Sequence, residues 1–140
     1  MMWLAGGLAL TALAGTVAVL RRCYIVVRVH GTSMTPTLRD GDRVLVRRVQ
    51  LARVGPGDMV VIKMPPPHTH GAPPWLVKRA VAVPGDPVPT DRFPILPATD
   101  RAVPPDRLVL LGDNPTASYD SRLNGYFAAD KVLGVVVRTL

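Results

Sequence analysis

The chain opens with an uncharged apolar run. The 19 residues from Met2 to Leu20 carry no charged side chain. As a helix rising about 1.5 Å per residue, this run would reach roughly 28 Å, close to the bilayer hydrocarbon thickness of about 30 Å. The run therefore predicts one N-terminal transmembrane helix, with residues 1–22 as anchor and flank. A cleaved signal peptide is the alternative, because Ala12-Leu-Ala14 has a small-x-small pattern, but no basic segment precedes the run.

The remainder of the chain reads as β structure. It has few helix-like periodic runs, and the 140 residues include 15 prolines and 12 glycines, a content that favours short strands and loops. Residues 23–140 leave room for one domain with a modest core. We therefore predict a mostly β fold of short antiparallel strands. The strand-like runs lie at residues 24–30, 41–46, 59–62, 75–83, 107–111 and 134–138.

The net charge is +7, from 14 arginines and three lysines against ten aspartates. Such a balance favours an anionic partner, either nucleic acid or a membrane surface. The chain has no basic stripe interleaved with aromatic residues and no nucleic-acid motif, so a lipid surface is the better interpretation.

Neither a disulfide nor a metal site is expected. Cys23 is the only cysteine, which excludes an internal disulfide. His68 and His70 lie in a proline-rich loop without a third ligand at metal-like spacing, so solvated side chains are expected. No cofactor is predicted.

Ser33 is a candidate nucleophile. It lies just past a strand-like run, within Gly31-Thr-Ser-Met-Thr-Pro-Thr-Leu38. Gly31 permits close backbone approach, and Pro36 restricts its own backbone and that of the residue before it. This setting would present the Ser33 oxygen in a fixed direction near N–H donors, as a nucleophile requires. A serine- and threonine-rich turn without chemistry explains these eight residues, taken alone, at least as well.

Lys78 is a candidate general base. In the strand predicted at 75–83 it shares one face with Leu76, Ala80 and Ala82, because strand side chains alternate. Complete burial can lower a lysine pKa by up to roughly 3–5 units, and a neutral amine can take a proton from a serine hydroxyl. The alternative is a lysine at a sheet edge whose amine reaches solvent.

Four motifs in this order resemble type I signal peptidases, which are membrane-bound serine endopeptidases with a Ser–Lys dyad. The motifs are Ser33-Met-Thr-Pro-Thr-Leu38, Gly41-Asp42, Lys78-Arg79 with Pro84-Gly-Asp86, and Gly112-Asp-Asn114 through Ser118-Tyr-Asp-Ser-Arg122. The resemblance covers about residues 24 to 134. It implies a signal-peptidase-like β fold, of the LexA/signal peptidase type, preceded by the transmembrane helix. It also implies that Ser33 and Lys78 are catalytic, and that residues 84–105 are a short form of a larger insertion.

The resemblance assigns roles to further residues. Ser118 matches a serine that orients the dyad lysine. The Ser33 backbone N–H is one oxyanion donor; some members add a hydroxyl two positions before the nucleophile, where this chain has Gly31, so Thr32 is the candidate substitute. Positions matching the substrate groove are Met34, Leu38 and Val77. His30 lies on the strand that approaches Ser33 and is interpreted as a wall residue of the same groove. Positions matching structural motif residues are Asp42, Asp113, Asp120 and Arg122.

The implied function is cleavage of signal peptides from secretory precursors after small-x-small sites, on the outer face of the plasma membrane. The precursors and the bilayer would be the partners, without nucleic acid. Arg21, Arg22 and Arg28 follow the apolar run, and the positive-inside rule would instead place the C-terminal domain in the cytoplasm. Two alternatives remain: a Ser–Lys protease maturing one dedicated precursor, and a catalytically silent anchored β domain.

Overall fold

A computed structural model of the chain describes residues 2–64 and 74–140, with side chains described from residue 11 onwards. The helices and strands in chain order are α1 (Met2–Cys23), β1 (Tyr24–Arg28), β2 (Arg43–Arg47), β3 (Met59–Lys63), β4 (Trp75–Ala82), β5 (Arg107–Leu111), α2 (Ser121–Asn124), β6 (Phe127–Ala128) and β7 (Val132–Thr139). Each predicted strand-like run contains a strand, so the prediction of a mostly β unit is confirmed. His68 and His70 lie outside the described residues.

The seven described strands form one sheet in the order β1-β2-β7-β3-β4-β5-β6, and every neighbouring pair is antiparallel. β7 is the last strand along the chain, yet it lies between β2 and β3 and joins two hairpins. β4 pairs with β3 over Trp75–Arg79, whereas its pairing with β5 begins only at Arg79. The first half of β4 therefore keeps one edge without a described strand partner.

The sheet curls around its apolar side chains. Val27 of β1 and Val77 of β4 belong to the same buried cluster, although three strands separate β1 from β4 in the sheet. β2 buries alternate residues, Val44 and Val46, as expected for a strand with one solvent-facing side. β3 instead buries three consecutive residues, Val60–Ile62, because both of its faces are covered. β3 is thus the centre of the core.

The connection between β4 and β5 is irregular, as its proline content predicts. One isolated bridge joins Pro87 to Ala102. Phe93 and Leu96 are 1% and 3% exposed and pack in a separate cluster against Val109 of β5. These two side chains fix a segment that has no strand of its own.

α1 lies where the uncharged run predicts a helix. Among the described residues, however, no helix combines the length and the apolar character needed to cross a bilayer. The predicted transmembrane span is therefore not supported by this structure.

Gly134 provides a test of the β2–β7 packing. A Cβ at this position would lie 2.2 Å from the Arg47 carbonyl oxygen and 2.8 Å from its carbonyl carbon. Because backbone cannot move aside as a flexible side chain can, we expect Gly134→Ala to lower the free energy of unfolding by about 3 kcal/mol, the upper end of typical overpacking costs. Chemical denaturation measures this change. Gly55→Ala is the matched control, since its Cβ would meet nothing closer than 3.9 Å; equal losses in the two variants would contradict the packing.

Candidate active site

The loop that carries Ser33 is closed at its base by backbone hydrogen bonds. The Val29 N–H donates to the Asp42 carbonyl oxygen at 2.8 Å, and the Gly41 N–H donates to the Val29 carbonyl oxygen at 2.9 Å. Gly31 has a φ of +78°, in the left-handed region that glycine adopts without steric cost. The chain can therefore turn sharply after β1 and return to β2, with Ser33 held inside the turn.

Ser33 and Lys78 lie in direct contact, although 45 residues separate them in the sequence. The Lys78 Nζ donates a hydrogen bond to the Ser33 Oγ at 2.7 Å. Lys78 is only 1% exposed, and it stands opposite Val60 in the β3–β4 pairing. The structure thus brings the two predicted dyad residues together around a buried amine.

The surroundings of the Lys78 amine favour its uncharged form. Burial lowers the pKa of Lys78, the Asp120 carboxylate raises it, and the Arg122 guanidinium lowers it. Burial also raises the pKa of Asp120, but hydrogen bonds from the Arg122 side chain and the Gly112 N–H outweigh it and lower this pKa to about 2. Asp120 is therefore ionised, and Arg122 compensates its charge.

Asp120 and Arg122, which the resemblance matches to structural motif residues, form an ion pair. The Arg122 Nε and Nη2 donate to the two Asp120 oxygens at 2.9 and 2.6 Å. Asp120 is fully buried, accepts the Gly112 N–H at 2.9 Å, and caps α2 by accepting the Arg122 N–H at 3.1 Å. The pair holds the segment after β5 in place.

The segment that follows β5 holds the nucleophile loop. The Asn114 N–H donates to the Ser33 carbonyl oxygen at 2.9 Å, and the Asn114 Nδ2 donates to the Thr32 carbonyl oxygen at 3.1 Å. A Cβ on Gly112 would lie 2.6 Å from the same Ser33 oxygen. Only glycine permits this approach. Asn114 belongs to one of the four motifs, but the sequence assigned it no role of its own.

Asp113 links β4 to the nucleophile loop. The Arg79 Nε and Nη2 donate to its two oxygens at 2.9 and 2.7 Å, and the Thr37 hydroxyl donates to it at 2.5 Å. The Arg79 guanidinium holds the pKa of Asp113 below its ordinary range. Asp113 therefore connects three segments: its own, β4 through Arg79, and the Ser33 loop through Thr37. This is a wider role than supporting a single turn. Asp42 does act locally, since it accepts the Arg39 N–H at 2.8 Å.

A match to the signal peptidase, peptidase S26 family spans residues 2–95 and 90–140. The chain belongs to this family. It is also similar to the probable signal peptidase I-2 of Synechocystis sp., with 28% identity over 129 residues that cover 76% of this chain. The chain spans 58% of the length of that relative.

Ser118 makes no hydrogen bond to Lys78 in this S26 family member. Its Oγ is buried and has no hydrogen-bond partner among the described residues. The hydroxyl is close enough to Asp120 to help lower the pKa of that carboxylate, but not in hydrogen-bond geometry. A Cβ on Gly112 would lie 2.1 Å from the Ser118 Oγ, so the hydroxyl is packed against the Gly112 backbone. The predicted hydrogen bond to Lys78 is therefore absent here.

The predicted groove residues divide into two groups. Met34, Leu38 and Val77 are 1%, 1% and 7% exposed and belong to one core cluster, so they do not line an open surface. The turn in which the Leu38 N–H donates to the Met34 carbonyl oxygen directs both of these side chains inward. His30 is exposed. A direct groove role for the three buried residues is not supported by this structure.

The oxyanion candidates are accessible. Thr32 is exposed, and no hydrogen bond within the described residues uses the Ser33 backbone N–H. The described residues contain no cluster of three or more histidine, cysteine or acidic side chains suited to a metal ion. The chemistry that the described site can support is thus that of the hydroxyl, the amine and backbone donors.

The lowered pKa of Lys78 predicts a pH-dependent stability. Below the folded-state pKa the lysine is charged in both states, and the burial cost is fully present. Between that pKa and the usual value of 10.5, the folded protein has lost the proton while the unfolded chain retains it, so stability rises with pH. Wild type should therefore gain free energy of unfolding with rising pH through this window, whereas Lys78→Met lacks this gain. Denaturation curves measured across pH should show the stability advantage of Lys78→Met over wild type decreasing through the window. A difference that stays constant with pH would contradict the lowered pKa.

Proposed function

We propose that this chain is a serine endopeptidase in which Ser33 is the nucleophile and Lys78 the general base. The 2.7 Å contact between a buried amine and a hydroxyl carries the proposal. An unperturbed lysine has a pKa near 10.4 and is a poor base at neutral pH, whereas burial moves the Lys78 pKa in the direction that a base requires.

The reaction proceeds through an acyl-enzyme. The neutral Lys78 amine accepts the Ser33 hydroxyl proton while the oxygen attacks the scissile carbonyl carbon. The resulting ammonium donates this proton to the departing amide nitrogen, which leaves Ser33 esterified. The amine then takes a proton from water, and the hydroxide attacks the ester carbonyl carbon. As the ester bond breaks and the acid is released, the ammonium returns its proton to the Ser33 oxygen, which regenerates the serine hydroxyl and the neutral amine. General-base assistance of this kind contributes roughly 10²–10⁴ in rate.

Two donors are available for the oxyanion. The Ser33 backbone N–H has no acceptor within the described chain, and the exposed Thr32 stands beside it. Gly31 supplies no side chain at the position where some family members have a hydroxyl. We propose the Thr32 hydroxyl as the second donor.

Loss of the Thr32 hydroxyl should therefore slow the chemical step. We expect Thr32→Val to lower kcat by about 10²-fold, the low end of the cost of removing one oxyanion donor. Thr32→Ser is the control, because it keeps a hydroxyl at the same position. An unchanged kcat in Thr32→Val would remove Thr32 from the site.

The substrate would bind as an extended strand. β1 is an edge strand, and Trp75–Lys78 keeps one edge without a described strand partner, so both can donate and accept backbone hydrogen bonds with an added peptide. Residues near Ser33 and Lys78 would then select small side chains on the acyl side of the cut. We propose secretory precursors with small-x-small sites as substrates, in keeping with the family and with the relative named a probable signal peptidase I-2.

The dyad is tested by removing each partner. Ser33→Ala and Lys78→Met should each reduce cleavage of a purified secretory precursor to background, since either change removes the nucleophile or its base. Lys63→Met, on the neighbouring strand, is the matched control because Lys63 is exposed and should retain activity. Cleavage by the purified protein that survives both dyad changes would show that the dyad assignment is wrong.

A dedicated maturation protease is the second candidate function. A panel of secretory precursors separates the two: cleavage of many after small-x-small sites supports general processing, and cleavage of one supports the maturase.

We also propose attachment through the N-terminal helix to the plasma membrane, with the catalytic domain outside, on the strength of the uncharged run of residues 2–20 and the family relationship. A C-terminal tag that external protease cannot reach in intact cells would contradict this orientation.

A further inference from the structure

We propose that the junction of α1 with the sheet binds an anionic phospholipid. Arg47, Arg48 and Arg53 line a cavity of about 340 Å³ together with Val49 and Gln50. The cavity abuts the end of α1, because the Arg48 N–H donates to the Cys23 carbonyl oxygen at 2.8 Å.

Two more arginines, Arg21 and Arg22, stand in the last turn of the same helix. We call the five residues the arginine foot: Arg21, Arg22, Arg47, Arg48 and Arg53.

The side chains of the arginine foot present their charges to solvent. All five side chains are exposed, and none makes an ion pair within the described part of the chain. The carboxyl end of a helix carries a partial charge of about half an electron, far less than five positive charges require. An external anion is therefore the natural partner, and guanidinium groups match phosphate because they donate paired hydrogen bonds.

An apolar cavity beside the arginine foot identifies the anion as a lipid. This second cavity, of about 330 Å³, includes Leu20, Val26 and Leu45 in its lining, and Arg21 contributes to it as well. Leu20 and Val26 are 52% and 43% exposed, so apolar surface lies open next to the charges. Tyr24, which also lines this cavity, is the direct strand neighbour of Arg47. A phospholipid offers both a phosphate and acyl chains, whereas free phosphate and nucleic acid offer nothing for the apolar cavity.

The inference rests on the proposed membrane location and is independent of the dyad. Near an anionic lipid surface each arginine contributes about fivefold in affinity. Removing two members of the arginine foot should then weaken binding of an anionic lipid by at least about tenfold. Binding of a zwitterionic lipid should change little.

The test uses the full chain, solubilised in detergent and mixed with equal amounts of phosphatidylglycerol and phosphatidylcholine. Native mass spectrometry then reports which lipid stays bound. Wild type should retain phosphatidylglycerol in more than about tenfold excess over phosphatidylcholine, and Arg48→Gln with Arg53→Gln should lower that excess by at least about tenfold. The matched control is Arg92→Gln with Arg101→Gln, which removes the same charge from two exposed arginines in the irregular connection and should behave as wild type.

Three results would overturn the proposal. Equal retention of both lipids by wild type would exclude headgroup selection. An equal loss of phosphatidylglycerol selectivity in the control variant would mean that the net charge of the protein, and not the arginine foot, determines binding. Complete displacement of phosphatidylglycerol by an equal concentration of inorganic phosphate would assign the arginine foot to free phosphate. Because the readout is bound lipid and not cleavage, none of these results depends on whether Ser33 and Lys78 are catalytic.

Discussion

The burial of one lysine amine against one hydroxyl is the constraint on which the rest of the site depends. A charged ammonium is costly in an apolar environment, so the burial of Lys78, at 1% exposure, lowers the pKa of its amine. The proposed role of Lys78 as a general base depends on this shift. Ser33 must therefore be brought to the amine, and the hydrogen bonds that Asn114 donates to the nucleophile loop keep it there.

Lys78 and Arg79 are neighbours in β4, but their side chains point to opposite faces of the strand and meet different electrostatic environments. Lys78 lies on a face with small apolar side chains, whereas Arg79 reaches the Asp113 carboxylate. A carboxylate that close to Lys78 would restore its charge. Asp120, the nearest buried acid, is already matched by Arg122, so its effect on the amine is partly cancelled. These two ion pairs thus hold the loops around the site in place, whereas the Lys78 amine forms no ion pair with any residue that the structure describes.

The fold reaches this arrangement with few residues. β7, at the end of the chain, inserts between β2 and β3 and so joins the hairpin next to the Ser33 loop to the hairpin that contains Lys78. The connection between β4 and β5 contributes three buried side chains, Phe93, Leu96 and Val103, to the cluster that packs against Val109. A chain spanning little more than half of its Synechocystis relative still brings the nucleophile and the amine together.

Local patterns determined the strands, the helix at the start of the chain and the candidacy of Ser33 and Lys78, because β-branched runs, uncharged length and ordered motifs are properties of neighbouring residues. The resemblance carried by those ordered motifs also marked Asp120 and Arg122 as structural residues. Only the tertiary structure decided that Ser118 packs against Gly112 without a hydrogen bond to Lys78, that Met34 and Leu38 are core residues, and that Asp113 joins three segments. Each of those outcomes depends on which parts of the chain lie within a few ångströms of each other in the folded protein. A pattern of neighbouring residues in the sequence does not contain that information.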